Sequence, residues 1–555
     1  MIRASRTHHP LAAAALASAL VIAACTPDSG VTPTSTLPGA GDSYYPGLGN
    51  TGYTADHYGL SLDIDPSRGS LSGTATIDAH ATAGLARFSF DLVGLDVREV
   101  TVDGQPAEQS RQGDKLVVVP AHPLSPGDHF TVGVVYSGTP QAISDPSGNR
   151  TGAAQVGWHH DGDEVYVASE VSGARTWYPV NDTPRNKATY SFSITVPAGY
   201  TAVANGAPRG ETQHGSMTTF AWESTEPMAS YLAAVDVGRF DRITATGPHG
   251  LPIMLYVPAD FAAAARTRFA RLPDMIAYFE SLLGRYPFPT AGAVVVRPDF
   301  RWSLETQTHP VYGSQVLTMN AETAAEGISH ELAHQWFGDS VTPSNWSDIW
   351  LNEGFATYLS WVWLEHAGQR DYLTGLMTSQ YGYELNAPDY ATLLNHPDLP
   401  PDQVLAILRR LFTPDGHPVP DDQVLSAMGL NSSSALTSAK ALGLLGVKPG
   451  SADATGYLED AQSSAPVSPP ASDLFAGGVY NRGAMALQAL RIRVGDATFF
   501  RILRTYAAQH RYGNATTDDF IHTAESVSQS DLGSFFQTWL RDPKAPPMPA
   551  LLPSQ

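Results

Sequence analysis

At 555 residues the chain is too long for one ordinary domain, and 43% hydrophobic content gives it material for a substantial core. A formal net charge of −21 leaves no excess of Lys and Arg to neutralise phosphates, which excludes a nucleic-acid binder. The single cysteine, Cys25, permits no internal disulfide, so stability must come from packing.

In chain order, a basic start (Arg3, Arg6) leads into the apolar stretch Leu11 to Ala24. That stretch is too short to span a bilayer comfortably but suits the apolar core of a signal peptide. It ends Ile22-Ala23-Ala24-Cys25, which resembles a bacterial lipobox. We therefore expect residues 1–24 to be a lipoprotein signal peptide. Lipidated Cys25 would anchor an exported bacterial protein to the outer face of the cell membrane, its one membrane contact. Residues 25–50, rich in Pro, Thr, Ser and Gly, read as a flexible tether.

From 51 to 243 the pattern is mostly strand. Leu60-Ser-Leu62-Asp-Ile64, Thr74 to Ile77 and Phe130 to Val134 alternate, and Lys115 to Val119 holds a solid apolar run. Close turn signals point to an antiparallel sandwich or saddle-like sheet. Ala259 to Leu283 then has helical spacing, Ala291 to Val296 reads as a buried strand, and helices dominate to Leu540. Strand-rich and helix-rich halves make an α+β protein. Residues 366–470 stand apart, with Pro-rich stretches around short amphipathic helices. The tetrapeptide DQVL occurs there twice, at 402–405 and 422–425.

The strongest chemical signal is His330-Glu331-Leu332-Ala333-His334. On a helix, positions i and i+4 share one face, so both imidazoles reach a single ion. Glu331 falls on an adjacent face, where it can take a proton from a water that the ion activates. Glu353 follows His334 in a second helical stretch, WLNEGFATYLSWVWLEH, and can supply a third ligand. Two His and one Glu leave a fourth position open, the catalytic arrangement. Zinc suits that set, though cobalt or manganese would also fit.

The segment HELAHQWFGDSVTPSNWSDIWLNEGFATYL is similar to the core of the aminopeptidase N family of gluzincins. The resemblance runs from Tyr45 to about Leu540, apart from 366–470, and includes GARTWYPVNDTPRNKATY (Gly173 to Tyr190) and LGRYPFP (Leu283 to Pro289). It implies an N-terminal β-sheet domain at 51–243 followed by a thermolysin-like catalytic domain. The catalytic domain would lie at 244–365 and 471–545, around a Pro-rich helical insertion at 366–470. It also implies one zinc per chain, held by His330, His334 and Glu353.

Three further residues carry over by resemblance. Glu305, in SLETQTHP, takes the place of the glutamate that grips the substrate's free α-amino group. Trp302, Ser303, Leu304 and Thr306 depart from the family pattern around it. Glu170 matches the second amine-binding acid. Tyr480, in VYNRGAMALQAL, matches the tyrosine that stabilises the tetrahedral intermediate, with Tyr358, Tyr381 and Tyr383 as competitors. The implied function is hydrolysis of the first peptide bond of peptides with a free N-terminus, Glu331 acting as general base. A secreted metalloendopeptidase, or a surface peptide-binding homologue with weakened catalysis, are the alternatives.

Overall fold

The computed structural model describes residues 39–148, 155–298, 303–411, 420–427, 432–445 and 465–546, with Leu430 and Lys448. The expected signal peptide, Cys25 and Trp302 lie outside these residues, as do the side chains of Tyr381 and Tyr383.

The strand Tyr53–Asp65 buries Tyr53 and Ala55, then Tyr58, Leu60, Leu62 and Ile64. The buried positions change parity where the register against Ser70–Ala81 slips between Ala55 and His57. One extra residue in a bulge turns the following side chains to the other face. These two strands lie inside an eight-stranded sheet. All its neighbours are antiparallel except Tyr53–Asp65 with Ala188–Pro197, which run parallel. The expectation of an antiparallel sheet thus holds but for that one pair. A parallel pair needs a long crossover, and the chain between Asp65 and Ala188 provides it.

A five-stranded sheet that includes Gln155–Asp161, Glu164–Ala168 and Val235–Gly238 adds to the same hydrophobic core. At Phe240–Thr246 the chain enters a second five-stranded sheet. Its order is Phe240–Thr246, Pro252–Pro258, Ala291–Val296, Val311–Gly313, Ser303–Leu304. Ala291–Val296 is buried at every position, as suits a central strand with parallel neighbours on both sides.

The helix expected over 259–283 is two helices, α1 (Ala262–Arg268) and α2 (Leu272–Leu283). Pro273, at the start of α2, has no N–H to give to a continuing helix and is tolerated only in a first turn. Next come α3 (Ala321–His334), capped by the Asn320 side chain accepting from Thr323 N at 2.7 Å, and α4 (Trp350–His366). Every residue of α4 from Trp350 to Leu364 is buried, so it is a core helix on all sides.

Helices α5 (Arg370–Asn395), α6 (Pro401–Leu411), α7 (Asp421–Ala427) and α8 (Ser438–Leu444) follow. The start of α5 still packs in the main core through Leu373 and Met377, while its end, at Leu393, joins α6, α7 and α8 in a small separate core. Both copies of DQVL serve it, through Val404 on α6 and Val424 on α7. The chain then rejoins the main core with α9 (Gly483–Val494), α10 (Asp496–Gln509), α11 (Thr517–Ser528) and α12 (Gly533–Phe536). Among the described residues no helix is long and apolar enough to cross a membrane.

Candidate metal centre

Helices α3 and α4 pack against each other and bring their acidic and imidazole groups to one point. His330 Nε2 and His334 Nε2 are 3.0 Å apart, and they lie 3.3 and 3.5 Å from the same Glu353 oxygen. Ligands about 2.0–2.1 Å from a tetrahedral ion stand ~3.3 Å from one another, so the three donors fit one zinc-sized cation. The helical period that predicted the pair of imidazoles is realised, and α4 supplies the carboxylate.

The supporting bonds fix the ligands. His334 Nδ1 donates to the Phe337 carbonyl at 3.1 Å, which turns Nε2 toward the cluster. Gly338, at φ +129°, lies beside that ring, and a Cβ there would stand 3.1 Å from His334 Nδ1. Only glycine allows the backbone this approach at this φ. Thr357 Oγ1 lies 3.5 Å from His330 Nδ1.

Glu331 is buried and forms a second close group with Glu305 and His334. A third group joins Glu170, Glu305 and Glu353, with ligand atoms within 4.8 Å of one another. Burial, reinforced by the neighbouring carboxylates, pushes the Glu170 and Glu331 carboxyls well above their usual range. Burial also raises Glu305, in opposition to the His334 imidazole. Glu353 goes the other way. Burial alone would raise it, but the His334 and His330 imidazoles hold it at about 2. His334, which burial would lower, is lifted to about 10 by Glu305 and Glu353. Four carboxyls around two imidazoles make a centre that favours cations.

Glu170 comes from the N-terminal domain, and the stretch after it ties the two domains together. Arg185 Nε donates to the Ser344 carbonyl at 2.7 Å, and Lys187 Nζ donates to the Asp339 and Ser340 carbonyls at 2.7 and 3.0 Å. Glu305 follows the edge strand Ser303–Leu304 directly. Its place is set by Gln335, the residue after the second histidine. Gln335 Nε2 donates to the Glu305 carbonyl at 3.2 Å, while its Oε1 accepts from Thr308 N and Tyr286 Oη. Sequence reasoning missed Gln335. Thr306, which departs from the family pattern, is buried and donates to the His309 carbonyl at 2.7 Å, closing the turn behind Glu305.

Tyr480 stacks on His330, with ring centroids 6.2 Å apart and planes at 21°. Burial and the carboxylates of Glu353, Glu170, Glu305 and Glu331 raise its phenol well above the ordinary value, so it stays a hydrogen-bond donor. Tyr358 is engaged elsewhere, donating to Gln488 Oε1 at 2.9 Å. A cleft of about 510 Å³ opens at the centre, lined by His330, Glu331, Thr357 and Tyr480 among others.

Two imidazoles and a carboxylate on two packed helices, an unligated glutamate beside them and an open cleft define a metallopeptidase-type centre. The peptidase family M1 domain matches residues 270–392 and 449–539, and the peptidase M1 N-terminal domain matches residues 54–232. The chain belongs to the M1 peptidase family. The match breaks between 392 and 449, within the expected 366–470 insertion.

Aminopeptidase A of Gloydius brevicauda is 23% identical over 556 residues, covering 93% of this chain and 50% of that protein. Glutamyl aminopeptidase of Sus scrofa is 32% identical over 209 residues, covering 36% and 22%. The chain thus spans half or less of the length of these curated relatives. Among solved structures, an M1 zinc metallopeptidase from Deinococcus radiodurans is 25% identical with a TM-score of 0.69, covering 93% of this chain and 100% of that one. A two-domain M1 zinc metallopeptidase bound to L-arginine gives 0.71 at 25% identity, covering 93% and 100%.

Proposed function

We propose that this protein is a zinc-dependent aminopeptidase that removes the first residue from peptides with a free N-terminus. The observation that carries this reading is the pair Glu170 and Glu305, grouped with Glu353 and so set beside the three metal donors. One oxygen each of Glu170 and Glu305 is buried without a hydrogen-bond partner. Buried acceptors of this kind call for a donor, and a substrate ammonium group supplies charge-assisted bonds to both.

His330, His334 and Glu353 would hold one zinc, which when bound lowers the pKa of a coordinated water toward ~7 and polarises a carbonyl. The residues of the chain do the rest. Glu170 and Glu305 grip the α-amino group, so that the first peptide bond is the one that meets the centre. The edge strand Ser303–Leu304 offers unpaired backbone to the extended substrate. Glu331 takes the proton of the attacking water on its carboxylate and returns it to the leaving amine nitrogen. The Tyr480 hydroxyl donates to the carbonyl oxygen as negative charge develops there.

The test is a panel of peptides with and without an N-terminal acetyl group. Acetylation removes the positive charge and leaves both buried carboxylates unsatisfied, so acetylated peptides are expected to resist cleavage. Efficient cleavage of acetylated peptides at internal bonds would move the reading to endopeptidase.

We also propose export and anchoring through lipidated Cys25, supported by the apolar run that ends Ile22-Ala23-Ala24-Cys25. Cys25→Ser should release the protein from the membrane fraction or block its maturation. Unchanged membrane association in that variant would refute the anchor.

A further inference from the structure

Glu326 lies one helical turn before His330 on α3, so the two share a face. It lines the same cleft as His330, Glu331 and Tyr480. Neither Glu170 nor Glu305 belongs to that lining. Under the aminopeptidase reading, on which this inference rests, those two glutamates hold the first residue, while Glu331 returns a proton to the leaving amine. The cleft therefore lies on the leaving side of the scissile bond, where the second residue of the peptide must sit.

The walls of this cleft are rich in acceptors. The hydroxyl of Tyr372 donates to Glu326 Oε2 at 3.1 Å and so fixes the carboxyl group in place. Gln380 Oε1, in the same lining, is buried without a hydrogen-bond partner. Among the described residues the lining contains no Lys or Arg, and its carboxylates are Glu326 and Glu331. Glu331 is committed to proton transfer. Glu326 has no such task, and a carboxyl group held away from bulk water gains most from a cationic partner.

We propose that Glu326 is a specificity-determining residue that selects peptides with Lys or Arg at the second position. The stem of such a side chain would lie along the apolar walls, which include Val316, Met319 and Phe475, and its cationic head would meet Glu326 and Gln380.

The test compares the tripeptides Leu-Lys-Ala, Leu-Arg-Ala, Leu-Leu-Ala and Leu-Glu-Ala by kcat/KM on the zinc-loaded enzyme. The basic pair should exceed Leu-Leu-Ala by about tenfold, the size expected of a hydrogen bond to a charged group. Leu-Glu-Ala should be the poorest. Glu326→Gln should bring the ratios close to one, and Glu326→Lys should turn the preference toward Leu-Glu-Ala. Because the wild-type ranking is itself a readout, the proposal stays testable even if a variant folds poorly. Equal or higher kcat/KM for Leu-Leu-Ala in the wild type would overturn it, as would a basic preference that survives Glu326→Gln. Failure to require a free amine on any of these peptides would instead overturn the aminopeptidase reading beneath it.

Discussion

Gly354 and Gly483 meet backbone to backbone: a Cβ on Gly354 would stand 3.0 Å from the Gly483 Cα. Gly354 follows the ligand Glu353 on α4, and Gly483 opens α9 three residues after Tyr480. The contact therefore sets how closely the Tyr480 turn approaches the metal ligands.

Gly354→Ala should separate these helices. Inserting a methyl group into a packed contact typically costs ~1–3 kcal/mol, and a 1 Å misplacement of catalytic groups can cost ~10²-fold in rate. We expect zinc to stay bound, thermal stability to fall and kcat to drop by about tenfold or more. Metal analysis beside steady-state kinetics checks this. Wild-type kcat and melting temperature in Gly354→Ala would show that the contact positions nothing.

Under the proposed mechanism Glu331 differs in role from His330, His334 and Glu353. Replacing His330, His334 or Glu353 should sharply lower zinc content, since each supplies one of three donors. Glu331→Gln should keep the metal and lose about 10²–10⁴ in kcat, the usual worth of a positioned general base. Elemental analysis separates the two outcomes. A Gln variant with most of its activity would remove Glu331 from the mechanism.

Tyr480→Phe deletes one hydroxyl and leaves the ring to stack on His330. Loss of a single oxyanion donor costs ~10²–10³ in kcat. KM should change little, because the bond strengthens only as charge develops. If Tyr381→Phe or Tyr383→Phe gave that profile and Tyr480→Phe did not, the assignment of Tyr480 would be wrong.

What the sequence revealed and what it hid follow from the range of each signal. The period of 3.6 converts the spacing of His330 and His334 into geometry, so the ligand pair is legible without coordinates. Glu353 was legible because a second helical stretch followed within a short span. Gln335 was not, because its value lies in three partners, Glu305, Thr308 and Tyr286, that only the packed fold brings to it. The Gly354–Gly483 approach was hidden for the same reason, with the α5–α8 region between the two in sequence. In the N-terminal sheet, alternation identified the strands but not their order, so the parallel pairing of Tyr53–Asp65 with Ala188–Pro197 was missed. The join between α1 and α2 was readable in principle from Pro273, which the apolar spacing around it masked.

Asp236 offers a test of the fold that is independent of the active site. It sits on the strand Val235–Gly238, is 2% exposed, and its Oδ1 accepts from Val167 N at 3.2 Å. Burial pushes its carboxyl up to about 8, a shift that the Val167 bond opposes. In the unfolded chain the group ionises near ~3.9. Between those values the folded state keeps a proton that the unfolded state has released, so stability falls as pH rises from ~4 to about 8 and is level above that. Asp236→Asn keeps an oxygen to accept from Val167 and cannot ionise. Its stability relative to wild type should therefore grow between pH 5 and pH 8.5, by an amount on the order of a few kcal/mol, since each pKa unit corresponds to ~1.4 kcal/mol. Denaturant unfolding of both proteins at the two pH values measures the difference directly. A wild-type-to-Asn gap that is the same at pH 5 and pH 8.5 would mean that Asp236 titrates at an ordinary pKa in the folded protein.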